Sequence, residues 1–111
     1  KGLDIKNAAV MSNEGVKLAI CTDHPVIPIQ YLPISAQTSC KGGLEYIKAL
    51  EALTINAAQI TGTDDVMGSI AVGKHADLQL YKSGENPLDL MSQPAAVMIN
   101  GKIVYEESEL K

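Results

Sequence analysis

The sequence predicts an α/β unit followed by a small antiparallel sheet, and two observations carry that prediction. An apolar run from Val16 to Cys21 stops abruptly at Thr22 and Asp23, as expected of a strand that is buried on both faces of a parallel sheet. The composition then changes near residues 62–68, where helical spacing gives way to glycines and β-forming residues. We therefore expect two structurally different parts.

The first part begins with a predicted helix over residues 4–14, where apolar residues recur at helical spacing. Asp4 is a plausible N-cap and Gly15 the expected stop. The strand follows directly, and three prolines then favour an irregular loop over residues 25–33. Since active sites of parallel α/β proteins form at the carboxyl ends of strands, Asp23 is the first candidate functional residue.

Three helices are predicted next. Residues 31–41 form one, Leu44–Leu53 form a clearly amphipathic second, and a short third one ends at Gly62. Asn56 and Gln59 have the spacing of a capping box at the start of the third helix. The inward face of the second helix is expected to consist of Leu44, Ile47, Leu50 and Leu53.

The second part contains an alternating strand at Asp77–Lys82 and a one-turn helix at Asn86–Leu90. Residues 96–99 and 102–105 flank the pair Asn100 and Gly101. Asn-Gly supplies the two positive φ angles of a type I′ turn, so these residues predict a β-hairpin.

Composition limits the class of protein. The chain has 111 residues and 46% hydrophobic content but no Phe or Trp, which suits a piece of a larger protein. It begins with Lys1 rather than Met, and a single buried strand leaves two unpaired edges. We therefore expect the neighbouring strands to come from residues outside this segment or from another chain.

Charge and hydropathy exclude other classes. The formal net charge of -4 argues against nucleic-acid or anionic-membrane binding. The apolar runs are shorter than a membrane span, and the N-terminus lacks a signal-peptide pattern. Cys21 and Cys40 are expected to be reduced, packed thiols. These features predict a cytoplasmic protein.

Four segments in this order carry a family resemblance. They are Val16 to Asp23, the segment Glu-Ala-Leu-Thr-Ile-Asn-Ala-Ala at 51–58, the segment Gly-Ser-Ile-Ala-Val-Gly-Lys-His-Ala-Asp-Leu at 68–78, and the ending Val97 to Tyr105. Together they resemble the C-terminal end of the metal-dependent amidohydrolase superfamily, above all its imidazolonepropionase-like members. The resemblance covers residues 4–106.

The resemblance implies the last strand and flanking helices of a (β/α)₈ barrel in residues 1–65 and part of a small antiparallel β-sandwich in residues 66–111. It implies hydrolysis of non-peptide C–N bonds in cyclic amides, amidines or related small molecules by metal-activated water. In that family the aspartate at the end of the eighth strand binds the metal and handles the proton of the attacking water. Asp23 matches it, as both metal ligand and catalytic residue.

The resemblance also implies a divalent metal, with zinc favoured and iron or manganese as alternatives. However, the His-x-His pair of the family's first strand and the Lys or His ligands of its middle strands have no match here. We therefore expect this chain alone to bind no metal and to be inactive. Its expected partners are the N-terminal part of its own protein, a small-molecule substrate and, through exposed apolar surface, a second copy of itself.

Other polar residues invite simpler interpretations. His24 is expected in a loop or in a supporting contact behind the ligand, because strand alternation points it away from Asp23. His75, Asp64 and Asp65 are expected in solvated turns.

Two further functions stay open at this point. In a stand-alone signalling module, Asp23 would accept a phosphoryl group as in response-regulator receivers, although their acidic pair and later Lys around Mg²⁺ lack matches at the required places. The chain could also be a structural or oligomerisation piece without catalysis.

Overall fold

The computed structural model describes residues 4–108 and is α/β with one antiparallel sheet. A 3₁₀ turn at Ile29–Tyr31 leads into the second helix. The helices are α1 Asn7–Asn13, α2 Leu32–Lys41, α3 Tyr46–Leu53 and α4 Ile55–Thr61, and the strands are β1 Leu78–Leu80, β2 Ala96–Ile99 and β3 Lys102–Glu106.

Residues 16–21, predicted as a strand buried on both faces, pair with no strand among residues 4–108. Exposed side chains alternate with half-buried or buried ones along residues 17–22, as in an extended chain. Val16 is 51% exposed, and Cys21 is exposed rather than packed. The prediction of burial is therefore wrong for this chain taken by itself. The physical reason is that a parallel strand is buried by its neighbours and by helices on both faces, and the described residues supply helices but no neighbouring strand.

Helix α1 begins at Asn7, three residues later than predicted. Asp4 shapes the turn before the helix, because its Oδ1 accepts a hydrogen bond from the backbone N–H of Lys6 at 2.9 Å, and it makes no side-chain cap of α1. Gly15 ends the helix as predicted, with φ of 86°. The N–H of Val16 then donates to the carbonyl of Met11 at 3.0 Å, a bond that closes the helix end.

Helix α3 begins at Tyr46, and three of the four residues predicted to face inward lie in or against the core. Leu44 is buried just before the helix, Leu50 and Leu53 are partly buried, and Ile47 is 56% exposed. The fully buried positions of the helix are Ala49 and Ala52. The inward face therefore holds two alanines beside the predicted leucines, and of the predicted residues Ile47 alone faces solvent.

Helix α4 ends at Gly62 with φ of 78°, as predicted, but the predicted capping box is wrong. The helix begins at Ile55 with no side-chain cap. Asn56 and Gln59 instead reach residues 17 and 18, far away in sequence. A capping box is a local motif, and here both amide side chains make tertiary contacts in its place.

The sheet has the order β1-β2-β3, and both pairs are antiparallel. Asn100 and Gly101 have φ of 51° and 82°, which confirms the predicted hairpin turn. β1 is shorter than predicted, and Leu80 on its expected dry face is 49% exposed. The predicted one-turn helix is a turn, in which Asn86 Oδ1 accepts a hydrogen bond from the N–H of Leu88 at 2.9 Å.

The main apolar cluster consists of Ala9, Ala36, Leu44, Ala49 and Leu88. Most of its members are alanines, and no large side chain of the described residues is fully buried. Leu88 comes from the segment between β1 and β2, so the later part of the chain contributes to the core between the helices. Among residues 4–108, no helix has the length and apolar character needed to cross a bilayer.

Candidate functional site

The candidate site is the loop that follows residues 16–22. Thr22 at its start is buried, with 6% of its surface exposed. The carbonyl of Thr22 accepts a hydrogen bond from the N–H of Ile27 at 3.3 Å, and the carbonyl of Asp23 accepts one from the N–H of Val26 at 2.8 Å. The backbone on both sides of Asp23 is therefore held by short-range hydrogen bonds.

Asp23 itself adopts a φ of 55°, in the left-handed region that Asp tolerates better than most residues. Its side chain is exposed. Within residues 4–108 the carboxylate makes no hydrogen bond or ion pair, so it does not cap the turn that its own backbone forms. The simplest structural explanation of the residue type, a turn-capping aspartate, therefore lacks the contact that it requires.

His24 lies next in the same turn, on the exposed side of the loop, and its peptide bond to Pro25 is cis. Its Nδ1 accepts a hydrogen bond from the backbone N–H of Ile29 at 3.1 Å. This contact ties the loop to the 3₁₀ turn that precedes α2, and it leaves Nε2 as the second ring nitrogen for another contact. A loop role accounts for His24 without metal ligation.

Helices α3 and α4 hold the extended segment that leads to Asp23. The carbonyl of Ala52 accepts a hydrogen bond from the N–H of Ile20 at 3.2 Å, and the Asn56 side-chain amide donates to the carbonyl of Leu18 at 3.2 Å. At the exposed surface, Lys17 Nζ donates to Gln59 Oε1. Sequence reasoning missed these contacts, since nothing local distinguishes an amide that reaches across 38 residues.

The other candidate acidic and imidazole side chains lie apart from this loop in the sequence. Asp77 Oδ1 accepts a hydrogen bond from the N–H of Asn100 at 2.7 Å, as expected for a residue that opens a strand. His75 is exposed, and Asp64 and Asp65 lie in a turn.

Metal-ligand chemistry sets a further test. Within residues 4–108, no three side chains of His, Cys, Asp or Glu come together in a way that could hold a metal ion. One free carboxylate is a single donor, whereas catalytic zinc takes about three protein ligands. The described residues therefore do not form a complete metal site, and Asp23 could supply only one of the ligands of such a site.

The comparison with protein families identifies the class. The model of the Amidohydrolase family matches residues 2–104, so this chain belongs to the amidohydrolase family. An amidohydrolase of known structure from Thermotoga maritima MSB8 superposes with a TM-score of 0.84 at 35% identity, over 93% of this chain and 26% of that one. These findings confirm the family resemblance.

Curated relatives belong to more than one kind of hydrolase. An imidazolonepropionase from Geobacillus sp. (strain WCH70) is 34% identical over 94% of this chain. An adenine deaminase from Desulforamulus reducens (strain ATCC BAA-1160 / DSM 100696 / MI-1) is 30% identical over 96% of this chain. The chain spans 26% of the length of the first and 18% of the second, so it corresponds to a minor part of each.

Proposed function

We propose that this chain is the C-terminal portion of a metal-dependent amidohydrolase that cleaves non-peptide C–N bonds in small cyclic amides or amidines. Family membership and the relatives support hydrolysis at C–N bonds. The chain matches only a small part of each relative, which supports a longer protein in which preceding residues complete the barrel. In this proposal, residues 1–65 end the barrel and residues 66–111 contribute to a β-sandwich.

The observation that carries the proposal is that Asp23 has a fixed backbone and a side chain that is unpaired among the described residues. Its backbone is fixed by the turn, while its exposed carboxylate has no partner within residues 4–108. A carboxylate that is positioned but not engaged is available to bind a group brought by other strands. We assign Asp23 as the metal ligand and proton acceptor of the complete enzyme, and His24 as the residue that fixes the loop around it.

The metal in this proposal is zinc, with iron or manganese as alternatives. Because the described residues provide one suitable donor rather than a set, the remaining ligands must come from the rest of the protein. No catalytic step is assigned to this chain alone, which we propose is inactive when isolated. We place the enzyme in the cytoplasm, where Cys21 and Cys40 would remain reduced.

Turnover by the full-length protein tests the role of Asp23. Imidazolonepropionate and adenine, the substrates that the names of the relatives suggest, head a panel of cyclic amides and amidines, with ultraviolet absorbance and ammonia release as readouts. Asp23→Asn should lower kcat by at least about 10²-fold, the effect expected for loss of a positioned acid or base. Circular dichroism should show an intact fold.

Asp65→Asn is the matched control, because it makes the same chemical change at an exposed turn residue and should leave kcat unchanged. Full activity of Asp23→Asn on a substrate that the wild-type protein turns over would overturn the assignment. Metal analysis gives a second test: the isolated chain should bind no stoichiometric zinc, while the full-length protein should. Stoichiometric metal on the isolated chain would contradict the proposal of a shared site.

A further inference from the structure

We propose that Asn56 is a positioning residue for Asp23, acting through the backbone of residues 16–22. This inference rests on the proposed function, since it concerns the geometry of the same site. Asn56 contacts neither Asp23 nor the loop after it. Its side-chain amide donates to the carbonyl of Leu18 at 3.2 Å in a partly buried contact.

Hydrogen bonds hold every second residue of the extended segment. Leu18 is held by Asn56, Ile20 donates to the carbonyl of Ala52, and Thr22 accepts from Ile27. In an extended chain, backbone groups of alternate residues point to the same edge. All three contacts therefore lie on one edge of the segment, and they hold every second residue up to the one that precedes Asp23.

The contacts at Leu18 and Ile20 come from the junction between α3 and α4. Ala52 lies at the end of α3 and Asn56 near the start of α4, and only Thr54 separates the two helices. One helix junction thus supplies an acceptor and a donor two residues apart on the segment, which fixes its position along the strand direction. Ala52 offers a backbone carbonyl that any residue would provide, so Asn56 is the side chain that makes the position depend on sequence.

The junction between α3 and α4 is closely packed. Ala58, two residues after Asn56, is buried, and Gly68 lies so close that a Cβ atom at Gly68 would come within 2.6 Å of the Ala58 Cβ. The start of α4 is therefore packed on both sides, against residues 16–22 and against the chain that leaves the helix. The Asn56 side chain can therefore fix the position of residues 16–22 relative to α4.

The choice of residue follows from the chemistry of the contact. The carbonyl of Leu18 needs a donor on a short stem. Asn provides an N–H group. The isosteric Asp, when ionised, can only accept hydrogen bonds, so its carboxylate would face the carbonyl oxygen of Leu18 with no donor between them. Asn56→Asp thus removes the donor with almost no change in volume. An acidic residue in the first turn of a helix is also compatible with the helix dipole, so α4 itself should persist.

The test uses the full-length protein with three variants. In Asn56→Asp, kcat should fall by about 10- to 10²-fold while KM changes by less than about threefold, because displacement of a catalytic group by about 1 Å has such effects on the chemical step. Gln59→Glu is the matched control, since it makes the same amide-to-carboxylate change on the same helix but keeps an oxygen acceptor for Lys17, so it should leave kcat unchanged. Asn56→Ser retains a short hydroxyl donor and should recover part of the lost kcat.

Hydrogen–deuterium exchange supplies a readout that does not depend on turnover. Peptides that cover residues 16–23 should exchange at least about 10-fold faster in Asn56→Asp than in Gln59→Glu, since breaking the contact raises the population of locally open states. Unchanged kcat and unchanged exchange in Asn56→Asp would overturn the inference. A lower melting temperature without either effect would also overturn it, because that result indicates a purely structural residue.

The variants separate this inference from the proposed function. If Asp23→Asn abolishes turnover while Asn56→Asp remains fully active, the positioning role fails and the role of Asp23 stands. If Asp23→Asn is fully active, the proposed site itself fails, and the positioning role that depends on it fails too.

Discussion

The carboxylate of Asp77 accepts a hydrogen bond from the backbone N–H of Asn100 at 2.7 Å, and this contact fixes the tip of the β2–β3 hairpin to the start of β1. A second bond, from the N–H of Gly101 to the carbonyl of Ala76 at 3.0 Å, lies beside it. Asn100 has the positive φ of 51° that the hairpin turn requires. The turn is therefore stabilised by its own residue types and by the two hydrogen bonds to Asp77 and Ala76.

Replacing Asp77 with Ala should destabilise the full-length protein by about 1 kcal/mol, because the charged acceptor is lost while the site stays exposed to water. Asp77→Asn keeps an oxygen acceptor of the same shape and should cost less. Urea denaturation followed by circular dichroism measures both. Equal stability of Asp77→Ala and the wild-type protein would show that the backbone bond from Gly101 is sufficient.

Gly42 lies where the end of α2 meets the turn before α1. A Cβ atom at this position would come within 2.0 Å of the carbonyl oxygen of Ile5, which is far inside van der Waals contact. Gly42→Ala should therefore destabilise the protein by about 2 kcal/mol or more, as overpacking against backbone does. The effect is steric, because Gly42 has an ordinary φ of -79°.

Gly84→Ala is the control for this prediction. Gly84 has a φ of 88° and open space around its missing Cβ, so the substitution adds only backbone strain of about 1 kcal/mol. Thermal melting of the two variants should rank Gly42→Ala as the less stable. The opposite order would indicate that α2 can move away from the turn at little cost.

Cysteine alkylation probes the extended segment. Burial raises the pKa of the Cys40 thiol, so near pH 8 less of it is thiolate than of an unperturbed cysteine, and iodoacetamide should modify it more slowly than the exposed Cys21. The difference should narrow as pH rises, because Cys40 then ionises too. Mass spectrometry of the isolated chain, with Cys21→Ser as control, measures the two rates.

In the full-length protein the order of reactivity should reverse. If residues 16–22 pair with neighbouring strands, Cys21 becomes buried and its alkylation slows by at least about 10-fold, since the thiol must be accessible to react. Cys21 that stays as reactive as in the isolated chain would count against a barrel strand at this position.

The isolated chain should also self-associate. Its core is largely alanine, and large apolar side chains such as Ile70, Val72 and Met91 are 88%, 107% and 84% exposed. Exposed apolar surface of this kind is normally covered by another part of the protein or by another chain. Sedimentation velocity should show a weight-average mass that rises with concentration, whereas a monodisperse monomer would contradict the prediction.

Features that depend on a few neighbouring residues could be predicted from the sequence. Asn100 and Gly101 predicted the hairpin, and Gly15 and Gly62 predicted helix ends, because each acts through its own backbone conformation. Asp23 was found because it follows an apolar run, and its site role remains a prediction. The family was recognised from the order of several such segments.

Features that depend on distant residues could not be predicted in this way. Asn56 and Gln59 have the spacing of a capping box, and only the folded chain shows that they contact residues 17 and 18 instead. Apolar spacing predicted the leucines that pack around α3, but it placed the exposed Ile47 inward and missed the buried Ala49 and Ala52. The burial expected for residues 16–21 depends on neighbouring strands that the described residues do not contain.

The packing of Leu88 against Ala9, Ala36, Leu44 and Ala49 matters to anyone who would recombine this region with that of a relative. The sequence suggests a crossover between residues 65 and 66, where its composition changes. Such a crossover would replace Leu88 in the core between the helices with the corresponding residue of the relative. A chimera that joins the two parts at that point should therefore keep residues 86–90 from the same protein as the helices. Otherwise, the alanines that contact Leu88 must be changed to fit the residue that replaces it.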